Sequence, residues 1–355
     1  MSAQTFSGPE ASPSPNGGVG QGKLLVSFRW LLGLYLVIPV CLLLQGMDGW
    51  FWQGYLRENL PSSPTHFLLF QIMFGTPHII ASATLLVTNS EYLRHFRRKV
   101  LWMTAAVAVV FGVGSLFIPY RVLYIAVACW TVLHVLKQQH GVARGICRLP
   151  EWAFRLLLWL SVAASIFIYI GIFLNQSLDA GQAATIKQVA GVLCAALLAS
   201  GLVCQRYAET AFAKCFLWAN IGLVLSSYYL YIHQYYFLAI LVPRWVHDAT
   251  AYSFYVTHDY NKHNNVPQNS FYRWAAACKL PIVLVLPLFT FASAFLLQAY
   301  GDTVVNFFSQ YLFGITWHKV VTVGLLGYLG LLHYYTEAIT WRQDSPYRRY
   351  IGFCD

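Results

Sequence analysis

Long apolar runs are the feature that most restricts how this chain can fold. Val107–Phe117 and Val283–Leu297 hold no charged residue and only scattered hydroxyls. A soluble surface cannot carry such runs, because every Å² of apolar area left in water forgoes about 25 cal/mol. A membrane-spanning helix needs about 20 mostly apolar residues. By that measure the spacing predicts helices over 25–46, 66–89, 99–118, 121–141, 153–175, 186–204, 211–231, 235–260, 279–300 and 319–342. Charged residues make up 10% of the chain, against about 25% in soluble domains. The expected fold is all-α: a polytopic integral membrane bundle of about ten transmembrane helices. Residues 23–355 form one domain behind a Ser-, Pro- and Gly-rich flexible tail, 1–22, which lacks the pattern of a cleaved signal peptide.

The basic residues test the span count. With the N-terminus in the cytoplasm, only Arg57, Arg121, Lys187 and Lys319 of the 23 Lys and Arg residues fall outside, and Arg244 falls within the membrane. Cytoplasmic loops are the ones enriched in Lys and Arg, so both termini are expected on the cytoplasmic side. The net charge of +10 follows from that bias. With no basic repeat or RNA-binding signature, it does not point to nucleic acid. The eight cysteines include no C-x-x-C pair, which argues against a disulfide framework and a thiolate metal site.

Polar groups inside the apolar segments are few and recur. His78, His134, His247 and His333 each lie about a dozen residues into a separate expected helix, so at about 1.5 Å per residue their depths agree within a turn. An ionisable residue at that depth normally lines a cavity, pairs with another or binds something. The four histidines are therefore the expected metal ligands, at one centre near the bilayer midplane. Asp248 adjoins His247, and Glu337 lies four residues after His333 on the same helical face; these two carboxylates are the candidate catalytic groups. Gly324, Gly327 and Gly330 lead to His333 at the spacing of a close helix contact. Arg244, four residues before Asp248, either neutralises it or holds an anionic part of a substrate. A second layer nearer the cytoplasm comprises His140, His258, Asp259 and His263, with His263 expected as a solvated residue at a helix end. His66, His95, His233 and His318 fall near the interfaces and are expected to take no part.

Imidazole with carboxylate suits iron, zinc or copper, and iron with open positions is the usual route to oxygen activation. A site at this depth implies a lipid-soluble substrate such as an isoprenoid, carotenoid or fatty acyl chain. The segments Gly75-Thr76-Pro77-His78, His134 through His140-Gly141, His247-Asp248 with His258-Asp259, and His333 with Glu337 resemble those of bacterial Brp/Blh-type carotene-cleaving membrane oxygenases. The resemblance implies a bacterial cytoplasmic membrane enzyme. It also implies non-haem iron on His78, His134, His247 and His333 with dioxygen as co-substrate; the residues alone allow one ion or two and leave open an electron donor. His258 and His263 also form one H-x4-H box like those of membrane desaturases, without the further H-x-x-H-H boxes. Two other classes stay open on the residues alone. One is a b-type haem protein linked to quinone; the other is a proton-coupled transporter using the buried His, Asp and Glu groups.

Overall fold

A computed structural model describes residues 22–62, 75–317, 319–340 and 345–354, and over these the chain is predominantly helical. The expected tail, apart from Gly22, lies outside the described residues, as do His66 and His318. The helices are α1 (Phe28–Trp50), α2 (Tyr55–Asn59), α3 (Thr76–Thr88), α4 (Ser90–Val107), α5 (Tyr120–Cys147), α6 (Glu151–Phe173), α7 (Ala180–Cys204), α8 (Ala211–Ile232), α9 (Tyr236–His263), α10 (Ser270–Ala277), α11 (Ile282–Phe313) and α12 (Leu326–Thr340). Two three-residue strands, β1 (Leu25–Ser27) and β2 (Gly352–Cys354), pair in parallel with Leu25 opposite Gly352. They clasp one end of the chain to the other.

Among the described residues five helices are long and apolar enough to cross a membrane: α1, α6, α7 with its following turn, α8 and α11. The helices that carry histidines fall short of that description. The described part of α3 has 13 residues, and α5 and α9 interrupt their apolar faces with charged groups. Boundaries also moved. The helix expected over 99–118 starts at Ser90 and runs through a π-helical stretch at Ala108–Val113. The one expected over 279–300 continues to Phe313.

Local chemistry sets several ends. Asp179 and Gln182 form a reciprocal capping box at the start of α7, satisfying donors that the first turn leaves open. Pro150 precedes α6, and Arg148 closes α5 in the left-handed region at φ 52°. Pro243 stands within α9, yet the helix continues unbroken. Proline lacks the N–H that would bond the carbonyl four residues back, which here belongs to Ala239. The hydroxyl of Ser227 on α8 donates to that carbonyl instead, at 2.6 Å. The repair from a neighbouring helix keeps Arg244, His247 and Asp248 in helical register.

Packing sorts the helices into inner and outer. In the most apolar windows of α1, α7 and α11 only 22% of residues are buried, against 56% in α6 and α8. The sequence pattern anticipates an inner set of polar helices wrapped by apolar ones. Instead α6 and α8 join the main core, where Gly171 accepts the close approach of the Tyr231 hydroxyl. The glycines before His333 also differ from expectation. A Cβ on Gly324 or Gly327 would meet nothing within 4 Å, and only Gly330 touches a neighbour, Ile79. Helix α9 is the hub: it is buried along most of its length and packs on α3, α5, α8 and α11.

Candidate metal centre

Four helices converge on one point. His78 comes from α3, His134 from α5, His247 and Asp248 from α9, and His333 and Glu337 from α12. All six are buried, none more than 7% exposed. The ring of His134 lies 4.8 Å from that of His247 and 5.2 Å from that of His333; the ring of His78 lies 5.4 Å and 4.7 Å from the same two. One turn of α12 separates His333 from Glu337, so both reach the same side.

Two sets of these side chains can hold a metal ion. One is His134, His247, His333 and Glu337; the other is His78, His247 and Asp248. Within each set the ligand atoms lie within 4.8 Å of one another. Metal–nitrogen bonds of about 2.0–2.1 Å place neighbouring ligand atoms about 3–4 Å apart, so little adjustment is needed. The sequence names the four histidines as ligands and sets Glu337 on the face of His333, within reach of the same ion. The structure groups Glu337 with three of the histidines and moves His78 to the second set beside Asp248. His247 belongs to both.

The polar atoms of the larger set are short of partners. Both ring nitrogens of His247 are buried without a hydrogen bond, and among the described residues Nε2 of His134 and Oε2 of Glu337 have only each other and His333 close by. His134 Nε2 and Glu337 Oε2 are 2.7 Å apart at ion-pair distance, and His333 Nε2 is 3.5 Å from the same oxygen. Among the described residues no Lys or Arg lies within ion-pair distance of Glu337. A buried carboxylate without a permanent cation is costly, and a bound cation would offset that cost. The donor set therefore fits a metal ion.

Surrounding groups orient this set. The hydroxyl of Tyr255, eight residues after His247, donates to Glu337 Oε1 at 2.8 Å and leaves Oε2 for the histidines. His333 Nδ1 is 2.8 Å from Ser82 Oγ, and its Nε2 is 3.1 Å from His78 Nε2. His78 Nδ1 in turn lies 3.4 Å from Asp248 Oδ1. Tyr255 and Ser82 carry no metal-binding pattern in the sequence. Only the stripe that continues from His247 along α9 hints at Tyr255.

Arg244 Nε sits 3.5 Å from Asp248 Oδ2, and both residues are buried. The structure sets it against Asp248, and it does not line the large cavity that reaches the centre. That cavity, of about 760 Å³, touches His134 and Glu337 at its inner end.

The second layer does not converge. His140 Nε2 bonds Ser161 Oγ at 3.0 Å on α6. His258 uses both ring nitrogens, one on Tyr92 Oη at 2.8 Å and one on Asp259 Oδ1 at 3.1 Å. Beside them Lys262 pairs with Glu91 and lies over the ring of Tyr92 at 4.0 Å. His263, expected in solvent, is fully buried and stacks on Tyr272 with ring centroids 4.0 Å apart. The correction has a simple cause: α10 folds back over the end of α9 and covers it. Among the described residues none of these four belongs to a metal-capable set. His95 and His233 are exposed.

No family model, no curated protein and no solved structure matches this chain in comparisons with known proteins.

Proposed function

We propose that this protein is an integral-membrane, metal-dependent oxidoreductase that holds non-haem iron and oxidises a lipid-soluble substrate with dioxygen. The observation that carries the reading is His247. It is an imidazole with both nitrogens buried and without a hydrogen bond, the Asp248 carboxylate standing 3.9 Å from Nε2, and it faces His134, His333 and Glu337. A structural histidine in a dry core satisfies at least one nitrogen, since each unpaired polar atom costs about 1–3 kcal/mol.

His134, His247, His333 and Glu337 would hold the ion. Three neutral nitrogens and one carboxylate suit iron, with zinc and copper as competitors. When bound, iron with open positions supplies oxygen activation, chemistry the side chains cannot perform themselves. The residues around it do the positioning. Tyr255 turns Glu337 towards the ion, and Ser82 fixes the ring of His333; such outer partners commonly tune metal affinity by 10–100-fold. Asp248, compensated by Arg244, orients His78. A compact ion suits the spacing better than a haem, whose macrocycle would have to part imidazole rings about 5 Å apart. The reading also takes α3, α4, α5, α9 and α12 as membrane-embedded with α1, α6, α7, α8 and α11. That gives ten spans, both termini in the cytoplasm, and a place in a bacterial inner membrane.

Metal analysis of detergent-purified protein tests this. Wild type should contain close to one iron per chain, and His134→Ala, His247→Ala and His333→Ala should each lose it. Metal content unmoved by all three changes, in folded protein, would end the proposal.

A further inference from the structure

The cavity that ends at the metal centre owes its existence to α5. One face of that helix carries His134, then Lys137 and Gln138, then Gly141 and Gly145, with Arg148 at its C-terminal cap, and all of them line the cavity. The helix from His134 to Cys147 runs about 20 Å beside it. A Cβ built on Gly141 or on Gly145 would meet nothing within 4 Å. Glycine within a helix costs about 1 kcal/mol relative to alanine, and here no packed neighbour accounts for it. The two glycines leave space, and a volume of about 760 Å³ is in the range of small-molecule sites.

The lining shows what would fill the space. Beyond the glycines the walls are apolar, with Ile146, Phe212, Phe254 and Phe353. Three cations, Lys137, Arg148 and Arg348, also line it. Two carboxylates oppose them: Glu209, 3.9 Å from the exposed Arg148, and Glu337 at the inner end, already engaged by His134 and Tyr255. Among the described residues neither Lys137 nor Arg348 has an acid within ion-pair distance. Arg348 is half-buried against Phe353, and burial lowers its pKa from the usual arginine value. The amide nitrogen of Gln138 is also without a partner.

We infer that the cavity binds an elongated, single-chain anionic amphiphile, with its apolar chain along Gly141 and Gly145 and its carboxylate or phosphate met by Arg348 and Lys137. This makes the substrate of the proposed oxidation a charged lipid rather than a hydrocarbon. As a statement about substrate it rests on the metal reading; as a binding site it rests on the cavity alone.

Spin-labelled 16-doxylstearate and its methyl ester distinguish charge from chain. With full-length protein in nanodiscs of neutral phosphatidylcholine, the acid should give an immobilised electron-spin-resonance component that the ester lacks at equal concentration. Arg348→Gln or Lys137→Gln should weaken binding of the acid about tenfold, the loss expected for one charge-assisted contact. Gly145→Leu puts a side chain into the space where a Cβ meets nothing within 4 Å and should abolish the component while the protein stays folded. Displacement by unlabelled stearate or by lysophosphatidate identifies which anionic head is preferred, and each supports the class. Equal immobilisation of acid and ester, or a component indifferent to Gly145→Leu, overturns the inference. The same spectra recorded after chelation separate the two proposals: binding that survives in protein shown to take no iron upholds the cavity and removes the oxidase reading.

Discussion

Replacing His247 by leucine should stabilise the protein without metal and destabilise it, relative to wild type, with metal. A neutral imidazole has one donor and one acceptor, and His247 leaves both buried and unmatched. At about 1–3 kcal/mol for each unsatisfied group, the wild-type residue costs roughly 2–6 kcal/mol in the metal-free fold. Leucine is similar in size, and imperfect repacking takes back less than about 1.5 kcal/mol. His247→Leu should therefore gain on the order of 2 kcal/mol in the presence of chelator. Metal at one hundred times its dissociation constant stabilises wild type by about 2.7 kcal/mol, and the variant, short of a ligand, should gain almost none. The order of stabilities should thus invert on adding Fe(II). The assay is denaturant unfolding of protein in mild detergent, followed by circular dichroism, with chelator or with anaerobic Fe(II). A variant less stable than wild type under chelator would show that His247 is held by contacts of its own, and the argument for a metal would lose its main support.

Five further outcomes follow from the geometry. Glu337→Gln should remove iron binding, whereas Tyr255→Phe should weaken it about 10–100-fold, both read by metal titration. His140→Ala should leave iron content unchanged, because its nitrogen engages Ser161 rather than the centre. Ser227→Ala should cost about 1–3 kcal/mol by leaving the Ala239 carbonyl unpaired beneath Pro243, measurable by the same unfolding assay. Asp48→Ala should cost on the order of 3 kcal/mol, since that buried carboxylate accepts from Leu56 N, Arg57 N and Tyr235 Oη.

Depth along a helix was legible in the sequence; rotation about its axis was not. His78, His134, His247 and His333 meet because residue count alone sets their height. Which of them would share an ion depends on how four helices turn towards one another. For that reason Glu337 entered the larger set and His78 moved to the side of Asp248. The i, i+4 relation of His333 and Glu337 needed no partner helix and was readable at once. Tyr255, Ser82 and Ser227 were not, since each acts across a helix interface: the first two on residues 82 and 251 positions away, and Ser227 on the helix that follows its own. Glycine was the most ambiguous signal. Gly324 and Gly327 have the spacing of a tight helix contact and make none, while Gly141 and Gly145 keep a cavity open. A missing side chain serves contact and vacancy equally well, and only the neighbour decides.

The clasp between β1 and β2 bears on how the protein is assembled. Asn261 on α9 donates to the carbonyls of Leu24 and Tyr350 and accepts from Leu24 N, joining the clasp to the central helix. Arg348 and Phe353, which close one side of the large cavity, belong to the same late segment. During synthesis every helix of the bundle is therefore made before that wall exists. A nascent chain halted ahead of residue 345 would leave that side of the cavity open, and any ligand recognised there would have to wait for Arg348 and Phe353.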